Sequence, residues 1–260
     1  MKTIILCGGK GTRLREETEF KPKPMVEIGG KPILLHILNI YAYYGYNEFI
    51  LCLGYKSEMI KEFFLNLSAF TNDFAFDLSK GEINYIKNNM YYDFKIIFAE
   101  TGEETLTSER IKMVLPYIKE DQFMVTYGDG VSNIDINNLI KFHNLQYRKY
   151  KTIGTIAGVH PSSKYGKIVC NKKNVIKIFN EKPVLNDYIN GGFMIFESKA
   201  KRYFKEGEML EDTLISMVKS SKISQYTHDG FWHSMDTMKD VIDLNRMWES
   251  DKPWAIWDDK

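Results

Sequence analysis

Short apolar runs alternate with helix-length amphipathic stretches through the first 150 residues, and few folds accept that rhythm. "TIILC" (3–7) reads as a buried strand, and "ILLHILNIYAYYG" (33–45) as a helix entered at Pro32 and stopped near Gly45. Strands over 48–54, 94–100 and 122–130 follow, with helices over 57–66, 108–118 and 134–150 between and after them. Strand, helix, strand at this spacing predicts an α/β fold, a doubly wound, mostly parallel Rossmann-like sheet. Residues 67–93 show little periodicity and read as an excursion.

Beyond residue 150 the pattern changes. "KTIGTIAGV", "KIVCN", "VIKIFNE" and "INGGFMIFE" are short strands separated by turn residues. A helix over 209–218, the strand "SQYTH" and a helix over 239–249 complete the chain. This predicts a smaller mixed β extension that closes over the binding face of the first half. At 260 residues the chain suits a single domain, 1–260, in two halves, 1–150 and 151–260.

Composition excludes several classes. Lys plus Arg is 35 and Asp plus Glu 34, a net charge of +1, so there is no general attraction to nucleic acid or to an anionic membrane. No apolar run is long enough to span a bilayer. The apolar start, Ile4 to Cys7, is too short for a signal peptide. Cys7, Cys52 and Cys170 lie in strand-like runs without metal-ligand spacing and are read as buried free thiols in a cytoplasmic protein.

Any positive field is therefore local, and it concentrates in "GGKGTRLREETEFKPKP" (8–24). Three glycines within four residues (8–11) stand among five basic side chains, Lys10, Arg13, Arg15, Lys21 and Lys23. The glycines follow a buried strand, where ligands of open α/β sheets bind. Bare backbone approaches a polyphosphate closely and turns its N–H groups toward it. Arg13 offers a forked contact and Lys23 a point charge. Pro22 and Pro24 stiffen the backbone on both sides of Lys23. Walker A spacing fails, because Arg13 or Leu14 stands where the second glycine belongs. GxGxxG begun at Gly9 also fails at Leu14.

The longer pattern, "GGKGTRLREETEFKPKPMVEIGGKPIL", resembles the signature of sugar-1-phosphate nucleotidyltransferases. "YGDGVSNIDI", "EKP", "INGGFMIF", "GFWHSMDTMKD" and the closing "LNRMWESDKPWAIW" look like the glucose-1-phosphate cytidylyltransferase subfamily. The resemblance spans essentially the whole chain. It implies attack of a sugar 1-phosphate oxygen on the α-phosphorus of CTP, with Mg²⁺ as cofactor, giving CDP-sugar and pyrophosphate for dideoxyhexose or surface-glycan synthesis such as O antigen. It implies nucleotide contacts at Leu6, Cys7, Gly8, Gly9, Lys10, Gly11, Thr12, Arg13, Lys23, Thr105, Arg110 and Gly128. Asp129 and Asp236 become the metal ligands, against the plainer reading of each as a helix cap. Arg13, Lys23, Asp129 and Lys182 become the catalytic set. Glu181, Lys182, Asn190 and Gly191 become the sugar contacts. The expected partners are CTP, a sugar 1-phosphate and further copies of the chain in a homo-oligomer, with no nucleic acid and no membrane.

Three segments depart from the family pattern. Thr107-Ser108-Glu109-Arg110 replaces TGGR, Pro161-Ser162-Ser163-Lys164-Tyr165-Gly166 replaces PPGRFG, and Leu210-Glu211-Asp212-Thr213-Leu214 lacks a proline. The expectation for the first is a capping Ser108 with Glu109 supporting the first helical turn. Competing readings are use of UTP or dTTP, another phosphorylated acceptor, a silent nucleotide sensor and a glycosyltransferase. The intact Asp129, Asp236 and Lys23 weigh against a sensor. The single Asp of "YGDG", where a paired acidic motif is expected, weighs against a glycosyltransferase. His36 and His143 read as helix-face residues, and the C-terminal tryptophans as core cover or a subunit interface.

Overall fold

The computed structural model describes residues 1–86, 92–163 and 165–258. Seven strands form one sheet: β1 (Thr3–Leu6), β2 (Glu48–Leu53), β3 (Lys95–Glu100), β4 (Gln122–Tyr127), β5 (Gly154–Val159), β6 (Ile189–Glu197) and β7 (Ile223–His228). Their spatial order is β7-β5-β6-β4-β1-β2-β3. Only β6 runs antiparallel to its neighbours β5 and β4; the pairs β1–β2, β1–β4, β2–β3 and β5–β7 are parallel. The fold class expected from the sequence is therefore the observed one. The strands of the second half lie in the plane of the first half's sheet. The return to the binding face is made by a separate short strand, Trp232–Ser234, paired with Gly130–Ser132.

The sheet is covered on both sides. Alternate residues of a strand face opposite ways, so Ile5 joins one core cluster and Ile4 and Leu6 the other. On one side pack α1 (Ile33–Tyr43), α4 (Ile136–Tyr150) and α6 (Met238–Trp248); on the other, α3 (Thr107–Val114) and α5 (Leu210–Lys219). The remaining long helix, α2 (Ser57–Thr71), follows β2. Strands covered on both faces read as continuous apolar runs, as "TIIL" and "FILCL" do.

Some boundaries differ from expectation for local reasons. The helix expected over 108–118 stops at Val114 and tightens into a 3₁₀ turn, Leu115–Tyr117, because Pro116 has no N–H to donate to the preceding turn. The strand expected over 122–130 ends at Tyr127. The excursion at 67–93 contains the end of α2 and an exposed hairpin, Phe74–Asp77 with Glu82–Tyr85. Residues 87–91 of that excursion, and Lys164 of the segment replacing PPGRFG, lie outside the described residues. Cys7 and Cys52 are buried as expected, but Cys170 is exposed. It sits on the hairpin Lys167–Cys170 and Ile176–Asn180, which stands away from the main sheet and buries neither face.

His36 is enclosed rather than merely helix-facing. Its Nε2 donates to Ile28 O at 2.8 Å, and its Nδ1 accepts from Trp254 Nε1 at 3.3 Å. Trp248, Trp254 and Trp257 surround the ring. Burial lowers its pKa to about 4, since a charged imidazolium would lose its hydration there. The C-terminal tryptophans thus cover the core around α1.

Candidate active site

The site lies past the carboxyl ends of β1 and β4. β1 delivers Cys7 and the glycines, and β4 delivers Gly128 and Asp129. A cavity of about 400 Å³ opens there, lined by Leu6, Cys7, Gly8, Gly9, Lys10, Gly11, Thr12, Arg13, Lys23, Thr105, Arg110, Gly128 and Asp129. Every nucleotide-contact residue expected from the sequence is in this lining. Tyr127, Glu103, Glu104, Leu106, Thr107 and Met209 line it as well, and sequence reasoning missed them. They come from a strand end, a loop and a helix start, none with a distinctive motif.

The glycine loop has two tight points. A Cβ on Gly8 would stand 2.0 Å from Arg110 Nη1. Gly11 has φ +63° and opens the 3₁₀ turn Thr12–Leu14. Lys23 enters from a second 3₁₀ turn, Lys23–Met25, whose proline sits at the first helical positions. That placement suits proline's fixed φ and missing donor.

Lys23 Nζ donates to Asp129 Oδ2 at 2.6 Å and to Asp236 Oδ1 at 2.8 Å. Arg13 Nη2 lies 2.9 Å from the same Asp236 oxygen. The outermost of these four, Arg13 and Asp236, stand 223 residues apart in sequence. The strand pairing Gly130–Ser132 with Trp232–Ser234 brings the two aspartates together, and Met235 N donates to Asp129 O at 2.8 Å. Burial opposes ionisation of Asp236, but the Lys23 hydrogen bond and the charges of Lys23 and Arg13 hold its carboxyl below the ordinary range. Burial likewise opposes the Lys23 charge; the two aspartates outweigh it and raise the ammonium's pKa.

Neither aspartate caps a helix. Asp135 caps α4, accepting from Asn138 N at 2.9 Å, and Thr237 caps α6 with Asp240. The aspartates already share one cation, the Lys23 ammonium, so the pair fits a divalent ion. Among the described residues no group of three or more His, Cys, Asp or Glu side chains is placed to hold a metal ion by itself. Mg²⁺ is commonly held by one or two carboxylates plus phosphate oxygens and water. The charge balance agrees. Lys10, Arg13, Lys23 and Arg110 face Glu103, Glu104, Asp129 and Asp236, four cations against four acids. Side chains alone give no surplus to neutralise a polyphosphate.

Arg110 lines the cavity without being exposed. It is buried and donates five hydrogen bonds. Nη1 reaches Leu53 O (3.1 Å), Thr101 Oγ1 (2.7 Å) and Gly102 O (2.7 Å); Nη2 reaches Gly8 O (3.1 Å) and Glu103 O (3.0 Å). It ties the glycine loop to the end of β2 and to the loop after β3. Lys10 pairs with Glu104 and, at 3.8 Å, with Glu103.

The residues expected at the sugar end are less converged. Glu181 and Lys182 do not line the cavity; they follow the outlying hairpin, exposed, with Lys182 Nζ 3.7 Å from Glu181 Oε1. Asn190 is held locally: its Oδ1 accepts from Gly192 N at 2.9 Å. Tyr127 OH donates to Glu211 Oε1 at 2.9 Å. Burial, with the Glu211 charge, raises the Tyr127 pKa, so the phenol stays a donor. Gly191 O accepts from Trp232 Nε1 at 2.7 Å.

Ser108 does not cap α3. The capping position is Leu106, without a side-chain bond, and Ser108 is fully buried within the helix. Glu109 points to Gly207 N at 3.0 Å.

Known proteins match along the full chain. A Bacillus subtilis (strain 168) protein named "Probable glucose-1-phosphate cytidylyltransferase" is 42% identical over 261 residues, covering 99% of this chain and 100% of its own. The Salmonella typhimurium (strain LT2) glucose-1-phosphate cytidylyltransferase is 36% identical over 263 residues, with the same coverage. A solved UDP-glucose pyrophosphorylase complexed with UDP-glucose shares the fold, with a TM-score of 0.67 at 18% identity over 96% of this chain and 98% of its own. The family described as nucleotidyl transferase matches residues 2–251. The chain belongs to the nucleotidyl transferase family.

Proposed function

We propose that this enzyme transfers CMP from CTP to glucose 1-phosphate, giving CDP-glucose and pyrophosphate. The observation that carries the reading is the meeting of Arg13, Lys23, Asp129 and Asp236 at one end of a glycine-lined cavity. Full-length relatives named for this reaction support the choice of CTP and glucose 1-phosphate.

In the reaction, a phosphate oxygen of glucose 1-phosphate attacks the α-phosphorus in line with the departing pyrophosphate. Mg²⁺, held by Asp129 and Asp236, would supply charge neutralisation and alignment. The glycine-loop N–H groups receive the triphosphate, and Arg13 meets the pyrophosphate. Lys23, beside both aspartates, supplies positive charge to the reacting phosphate. Arg110 keeps Gly8 in place. Lys182 and Glu181 serve the sugar phosphate and sugar hydroxyls, with Asn190 and Gly191 against the hexose. The two halves act as a single domain through the continuous sheet. Among the described residues no helix is long and apolar enough to cross a membrane, and the proposed setting is the cytoplasm. The exposed Ile176, Ile178 and Phe179 of the outlying hairpin are the surface a homo-oligomer would bury.

The test is a matrix of the four ribonucleoside triphosphates and dTTP against several sugar 1-phosphates with Mg²⁺, following pyrophosphate release. CTP with glucose 1-phosphate is expected to show the highest kcat/KM. A tenfold preference for UTP or dTTP, about 1.4 kcal/mol of transition-state binding, would overturn the assignment.

A further inference from the structure

The stretch leading into α5 is held along its backbone by the first turn of α3. Lys205 N donates to Ser108 Oγ at 3.1 Å, and Gly207 N to Glu109 Oε2 at 3.0 Å. Ser108 N donates to Glu208 O at 3.2 Å, and Leu210 N to Thr107 Oγ1 at 2.7 Å. The buried Ser108 hydroxyl is also 2.7 Å from Thr213 Oγ1 on α5. Thr107, Ser108 and Glu109 thus fix the backbone from 205 to 210.

One side chain of that stretch, Met209, lines the cavity. Its sulfur is 3.9 Å from Thr107 Oγ1, and it stands with Thr105, Leu106 and Thr107. Lys23 and Asp129 line the same cavity, as do Lys10, Arg13, Arg110, Glu103 and Glu104. Met209 remains 40% exposed, so its thioether presents apolar surface to whatever fills the space.

A nucleoside triphosphate has one polyanionic end and one flat aromatic end. The glycine loop and the Lys23–aspartate cluster suit the first. The apolar surface of Met209 and Leu106 suits the second, because a methionine sulfur packs favourably against aromatic rings. We propose that Met209 is a wall of the nucleoside subsite, and that Thr107, Ser108 and Glu109 are positioning residues that hold it there. The ligand is the cytidine part of CTP, so this inference rests on the function proposed above. It also accounts for Ser108 and Glu109 in place of glycines. A glutamate beside a polyanion site is unfavourable, but here the carboxylate is turned to the Gly207 N–H, and its oxygen serves the wall as an acceptor.

The experiment compares wild type, Met209→Ala, Met209→Leu, Glu109→Ala and Glu109→Gln by steady-state kinetics and by calorimetric CTP binding. Circular dichroism melts establish that each variant is folded. Met209→Ala is expected to raise the CTP KM and Kd about tenfold while kcat and the glucose 1-phosphate KM change less than about threefold. Met209→Leu restores most of the affinity. Glu109→Ala weakens CTP in the same direction, and Glu109→Gln, which keeps an acceptor for Gly207 N, restores it. Unchanged CTP affinity in folded Met209→Ala, or a rise confined to the sugar-phosphate KM, overturns the proposal. If wild type prefers another nucleoside triphosphate, the function reading fails first, and the same comparison with that nucleotide still decides the role of Met209.

Discussion

Replacing Arg110 with Met isolates what holds the glycine loop. The substitution keeps most of the stem's bulk and removes all five hydrogen bonds. The acceptors left behind are not equally orphaned. Leu53 O still accepts from Thr101 Oγ1 at 2.6 Å, and Gly8 O from Tyr55 N at 3.2 Å. Gly102 O and Glu103 O are only part-buried, so water can reach them. Hydrogen bonds to a charged donor contribute about 1.5–3 kcal/mol each. Summed over five they overshoot, because the buried guanidinium also pays a desolvation cost, which lowers its pKa. With two acceptors retaining a partner and two wetted, the net loss is expected near 2–4 kcal/mol. Gly8 loses its anchor at the same time, so the CTP KM is expected to rise at least tenfold. Arg110→Lys should recover little of either, since one ammonium cannot span acceptors from three segments. Urea unfolding followed by fluorescence measures the first quantity, and initial rates against CTP the second. An Arg110→Met protein within 0.5 kcal/mol of wild type (roughly the ordinary surface-substitution range) and with an unchanged CTP KM would refute the reasoning.

Three further outcomes follow from the site and the core. Asp129→Asn and Asp236→Asn should each cut turnover by several orders of magnitude, on the order of several kcal/mol of lost transition-state stabilisation, while circular dichroism shows a folded chain; normal turnover per folded molecule would remove them from the metal site. Lys23→Ala should lower kcat far more than it raises the CTP KM, because a cation at the reacting centre acts mainly in the transition state; initial rates over a range of CTP concentration separate the two. His36 has a folded-state pKa of about 4 against an ordinary 6.5, so between those values the unfolded chain binds more protons and stability drops as the pH is lowered. The contribution is fully present above pH 6.5 and about 3 kcal/mol of it is lost by pH 4; His36→Gln should flatten the dependence of the urea midpoint between pH 7 and pH 4.5, and an unchanged slope would count against it.

The sequence by itself determined the alternating sheet, because strands buried on both faces must be continuous apolar runs, and "TIIL" and "FILCL" can be little else. It also determined the glycine loop and Lys23, whose chemistry is packed into seventeen consecutive residues, 8–24. The membership of Asp236 was legible only through resemblance. What joins it to Asp129 is the pairing of two three-residue strands, too short to leave a periodic signal. Tertiary structure alone decided the role of Arg110. An arginine in a first turn reads as solvated, and only burial against carbonyls from three separate segments makes it an anchor. The same holds for Ser108 and Glu109: helix-start residues suggest capping, but their partners sit about one hundred residues away, beside α5. Local chemistry is written in neighbouring residues. Contacts between distant segments depend on how the sheet is wound, which no short stretch of sequence records.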